Sequence, residues 1–138
     1  MRYEDWPKRL QAEIAAARKR TFAYGAFDCC LFAADCVQAM TGIDYAAELR
    51  GYTSKLDAYR IVAAYGSLEA MITTLLGREP VHRSQAHRGD VVLAEVELAP
   101  GEAGDCVGIC AAAKFYFPRA VGLRECAIDV VRLAWRID

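Results

Sequence analysis

Histidine is scarce in this chain: His82 and His87 are the only two, both in one polar stretch. Any chemistry that needs an imidazole base must draw on that stretch. Neither sign of charge is in excess, with 17 Lys and Arg against 18 Asp and Glu and a formal net charge of −1. No global field therefore recruits nucleic acid or a membrane surface. No apolar run approaches the roughly 20 residues of a membrane-spanning helix. The opening residues, Met1-Arg2-Tyr3-Glu4-Asp5-Trp6, are charged and do not read as a signal peptide. Internal repeats and low-complexity tracts are absent, and no Cys-x-x-Cys pair marks a zinc knuckle.

What is present fits one soluble globular domain over residues 1–138, with 55% apolar and 25% charged residues. A chain of this length buries a real core and needs no staples. The six cysteines read as free thiols of a reducing cytoplasm, although their even number permits disulfides.

The most informative stretch runs from Tyr24 to Gly42. Tyr24-Gly25 makes a loop, and Asp28 can cap a helix by accepting from the free amides of the next turn. Leu31, Phe32, Ala34, Val37 and Met40 recur at helical spacing, and Gly42 supplies a left-handed stop. The spacing predicts a helix over about 28–40, with Cys29 in its first turn. There the helix dipole favours a thiolate, which is where a nucleophile would stand. The plainer alternative is that Cys29 is a small core residue, as Cys30 and Cys36 are read to be.

Around this helix the pattern is helical up to residue 77. Asp5-Trp6-Pro7 opens a helix whose Leu10, Ile14 and Ala17 share a face, ending near Arg20 with Arg18-Lys19-Arg20 as its solvated last turn. Residues 44–49 hold one short helical turn, and Arg50-Gly51-Tyr52 reads as a turn. Ser54 and Ser67 cap two further helices that stop at Gly66 and Gly77. Residues 78–88 read as a surface connection. Beyond Asp90 the pattern is strand, over 91–96, 106–110, 114–117, 120–123 and 130–135, with turns at Pro100-Gly101, Gly104-Asp105 and Pro118-Arg119. Helices over about 5–77 and strands over about 88–137 predict an α+β fold, the N-terminal helices packed on a C-terminal antiparallel sheet.

These residues resemble the NlpC/P60 cysteine-peptidase superfamily, which has a papain-like fold. The likeness rests on Tyr24-Gly25, Phe27-Asp28-Cys29, Gly42-Ile43, Gly89-Asp90-Val91-Val92 and Cys106-Val107-Gly108-Ile109, in the family's order. A closer likeness is to an uncharacterised branch found in phage and prophage tail-gene clusters. It is carried by Asp28-Cys29-Cys30-Leu31-Phe32-Ala33-Ala34-Asp35, Thr41-Gly42, Arg50-Gly51-Tyr52, Gly122-Leu123 and Ala134-Trp135-Arg136.

The resemblance implies a nucleophile at Cys29 and a groove lined by Tyr24, Phe27, Asp28 and Cys106. It also implies a general base at position 106, where this chain has Cys106, which cannot do that work. Only His82 or His87 folding back would supply a base. Two functions follow. One is a catalytically degenerate member that binds a tail partner such as a hub, tape-measure or tip protein. It would act in a bacterial cytoplasm or be incorporated into a virion or phage-like particle. The other is an active peptidase or amidase on peptidoglycan peptides, with Cys29 attacking and helix-start amides holding the oxyanion. A cytoplasmic thiol protein without a particle partner is the third reading. No metal, cofactor or nucleic acid is expected in any of them.

Overall fold

A computed structural model describes residues 1–99 and 102–138. Among the described residues four α-helices come first: α1 (Trp6–Ala17), α2 (Cys29–Thr41), α3 (Lys55–Tyr65) and α4 (Leu68–Leu76). Six strands follow: β1 (Val81–His82), β2 (Val91–Ala99), β3 (Glu102–Ala111), β4 (Lys114–Pro118), β5 (Leu123–Cys126) and β6 (Val131–Trp135). They form one antiparallel sheet in the order β1-β6-β2-β3-β4-β5. The chain is therefore α+β, with its helices leading and an antiparallel sheet behind them. No helix is long and apolar enough to cross a membrane among the described residues.

Local chemistry sets most helix ends. Asp28, Ser54 and Ser67 each accept from the amide three residues on, at 2.9, 3.1 and 3.1 Å, and so start α2, α3 and α4. Gly42 and Gly77 close α2 and α4 in the left-handed conformation, with φ of 80° and 68°. α1 lacks a side-chain cap and carries Pro7 in its first turn, where a missing N–H costs nothing.

The core forms where α2 is pressed between α1 and the sheet. Leu10, Ile14 and Ala17 of α1 meet Phe32, Ala33, Cys36, Val37 and Met40 of α2. Val91, Leu93, Val107 and Ile109 receive them from alternate positions of β2 and β3. The intervening residues Val92, Ala94, Val96, Cys106 and Cys110 pack instead with Phe115, Phe117, Val131 and Ala134. β2 is thus buried on both faces over residues 91–94, which explains the unbroken apolar run there. α3 differs from the other helices in having no fully buried side chain.

Several boundaries depart from the sequence reading. α1 stops at Ala17, and the basic residues after it turn back onto the fold. Arg18 lies over the Tyr116 ring, and Arg20 lies over Phe27 and pairs with Asp35 at 3.3 Å. Residues 44–49 form turns and no helix. The connection 78–88 contains β1, which pairs with β6, and a 3-10 turn at Arg83–Gln85. Gly104 and Asp105 lie inside β3, opposite Val96 and Glu95, because the β2–β3 hairpin runs further than its apolar residues do. The turn assigned to Pro100-Gly101 lies outside the described residues. Residues 120–122 do not pair with β4. They bond to the loop after α1 through Phe22 N to Ala120 O (2.9 Å) and Gly122 N to Arg20 O (2.8 Å), so β5 begins only at Leu123.

Candidate functional site

The start of α2 is held by one carboxylate serving three donors. Asp28 is 3% exposed. Its Oδ1 accepts from Leu31 N at 2.9 Å, while Oδ2 accepts from Gly25 N at 3.1 Å and from the Tyr52 hydroxyl. Burial raises the Asp28 carboxyl above its ordinary value, opposed by these donors. Burial and the bond to Asp28 push the Tyr52 phenol far up, so it stays a donor.

Tyr52 reaches Asp28 because its loop is tied to α2. Arg50 donates to Asp35 at 2.7 Å and to Asp44 at 2.9 Å. Gly25 completes the joint. Its φ is +81°, its carbonyl accepts from Gly51 N at 3.2 Å, and a Cβ there would sit 1.6 Å from the Tyr52 carbonyl oxygen. Only glycine allows the two loops to meet so closely.

Cys29 follows Asp28 at the helix tip and is partly exposed. It packs against the buried cluster that contains Cys106 of β3, whose thiol donates to the Val107 carbonyl at 3.8 Å, and Cys30 and the Val107 amide are its other polar neighbours. Cys106 first, then Cys30 and the amides of Val107 and Cys30, hold the Cys29 thiol well below its ordinary value against the opposing effect of burial. Cys30 and Cys106 are driven the other way, by Cys29 and by burial. If one of the three is ionised, it is Cys29.

All three cysteines line a cavity of about 730 Å³. α2, the middle of β3 and the end of β4 contribute Leu31, Cys106 and Phe117. α3 and α4 contribute Ala58, Tyr59, Ile61, Val62, Leu68 and Met71. Lys55, Arg119 and Arg124 stand among the lining residues. Among the described residues no group of three or more His, Cys, Asp or Glu is arranged to hold a metal ion.

The family described as a domain of unknown function (DUF6950) matches residues 1–137. The chain belongs to the DUF6950 family. No curated protein and no solved structure matches it.

Of the residues singled out in this DUF6950 chain, the cavity gathers Tyr24, Asp28, Cys29 and Cys106. Phe27 is not among them. It is 1% exposed and packs edge-on against Phe32 in the core, with ring centroids 6.0 Å apart. Neither histidine lines the cavity. His82 sits on the edge strand β1, its Nδ1 2.8 Å from Ser84 Oγ. His87 is exposed in the turn before β2, where its amide donates to Asp90 at 2.8 Å. The fold-back that would make either one a base for Cys29 does not occur.

Sequence reasoning missed three contributors to the DUF6950 cavity. Cys30, taken for core, is partly exposed and lines the cavity beside Cys29. Tyr52 was hidden in a turn tripeptide, where an aromatic beside Gly51 was the available signal. The α3 wall was assigned as a helix, but nothing local told which partner its apolar face would meet.

Proposed function

We propose that this chain is a binding protein built on a papain-like, NlpC/P60-type scaffold whose hydrolytic machinery has lost its base. The observation that carries the reading is the Cys29 site: the helix-tip thiol shares its cavity with Cys106, and neither histidine lines it. In a cysteine hydrolase the base takes the thiol proton and then protonates the leaving amine. A thiolate can form without it, but the leaving group then departs unprotonated. Removing the base from a comparable nucleophile–base unit costs on the order of 10⁶ in kcat. What remains is an apolar cavity of about 730 Å³, within the range that accepts a drug-sized ligand or a few side chains.

The sequence likeness to tail-cluster proteins makes a segment of a phage-like tail protein the proposed occupant. Two measurements test this. Purified peptidoglycan incubated with wild type or with Cys29→Ala releases no muropeptides in either case. A purified tail partner binds wild type, and Ala58→Trp, which fills the cavity from α3, weakens binding at least tenfold.

The rival reading, an active peptidase or amidase, has one observation in its favour, the lowered Cys29 thiol. Muropeptides released by wild type and not by Cys29→Ala would establish it and overturn the proposal.

A further inference from the structure

The thiol cluster has chemistry that does not depend on what fills the cavity. Cys29 packs against the buried cluster to which Cys106 belongs. The two cysteines come from different elements, α2 and β3, and both line the same cavity. Their access differs. Cys29 is partly exposed, whereas Cys106 is 4% exposed. Of the two cavity-lining residues, Cys29 is the more accessible to a small oxidant and Cys106 the more buried.

We propose that Cys29 and Cys106 are a peroxide-responsive dithiol, with Cys29 the sulfur that is attacked first and Cys106 the one that resolves it into a disulfide. The Cys29 thiolate attacks one oxygen of a hydroperoxide. An S–O bond forms, the O–O bond breaks, and the other oxygen leaves as alcohol or water after taking a proton. Cys29 is now a sulfenic acid. The Cys106 sulfur then attacks the Cys29 sulfur, an S–S bond forms, and hydroxide leaves with the Cys106 proton as water. Two thiols and one hydroperoxide give one disulfide, one alcohol or water and one further water. The two electrons come from the sulfurs.

Cys30 neighbours Cys29 but cannot resolve it. The Cα atoms of consecutive residues stand about 3.8 Å apart across a trans peptide, against the ~4.4–6.8 Å that a disulfide prefers. Both also lie in the first turn of α2, whose backbone a bond between neighbours would distort. Cys126 does not line the cavity.

The test is peptide mapping of the full chain without reduction, after brief exposure of the reduced protein to a small excess of hydrogen peroxide and blocking of remaining thiols. The expected product has lost two hydrogens, carries one cross-linked peptide joining Cys29 to Cys106, and reverts with dithiothreitol. Cys29→Ser and Cys106→Ser each abolish that cross-link, while Cys126→Ser keeps it. The wild-type map decides the matter even if a substitution prevents folding. Cys29 recovered as sulfinic acid beside an unmodified Cys106 would overturn the proposal, as would a cross-link from Cys29 to any other cysteine.

Discussion

Asp28 divides one carboxylate among the helix cap, the Gly25 loop and the Tyr52 hydroxyl, so each donor's removal has a distinct signature. Tyr52→Phe keeps the ring and deletes the O–H. It is expected to destabilise the fold by about 1–3 kcal/mol, as loss of a hydrogen bond to a charged group does, measured by urea denaturation. Asp90 makes a pH prediction. It is 1% exposed, accepts from His87 N and Ile137 N at 2.8 and 2.9 Å, and pairs with Arg136 at 3.2 Å. Burial nevertheless raises its carboxyl above the ordinary 3.8. A carboxyl raised on folding binds its proton more tightly in the native state than in the unfolded chain. Its contribution is therefore present at low pH and lost as pH climbs from the ordinary value through the raised one. Asp90→Asn removes that titration, so the stability difference between wild type and variant should fall with rising pH across this window and then level off. Denaturation midpoints measured from acid to neutral pH check it.

Single elements show what was legible in the chain and what was not. The caps of α2, α3 and α4 were readable because a side chain and the amide it accepts from lie three residues apart. The Asp28–Tyr52 bond spans 24 residues and leaves no local pattern. β5 was placed too early because Ala120-Val121-Gly122 is apolar enough for a strand, yet its backbone groups are taken by the loop after α1. β1, two residues long, is too short to have a period. The thiol cluster was half visible: the helix-tip cysteine was clear, but its contact with β3 came from tertiary packing. α3 carries its own prediction. With none of its side chains fully buried, it should open at lower free energy than α2, so its amides should exchange with deuterium first. Ser54→Ala, which deletes its cap, should cost about 1 kcal/mol and lower α3 protection roughly fivefold. α2 protection should fall by no more than the same factor.

At the scale of the whole molecule, the fold brings a helix tip and a strand together so that three thiols share one cavity and no imidazole joins them. The cluster explains the direction of the Cys29 shift, and it can be probed by taking its members away. Cys106→Ala removes the first of them and should move the alkylation midpoint of Cys29 upward, toward an ordinary thiol. The central claim is that thiols and amides alone set the Cys29 environment. The pH–rate profile of Cys29 alkylation, in wild type and in a His82→Ala/His87→Ala double variant, tests it most directly. The account predicts superimposable profiles, each with a midpoint below that of an ordinary thiol. A double variant whose midpoint shifts, or whose alkylation slows tenfold or more, would show a histidine acting on that sulfur and contradict it.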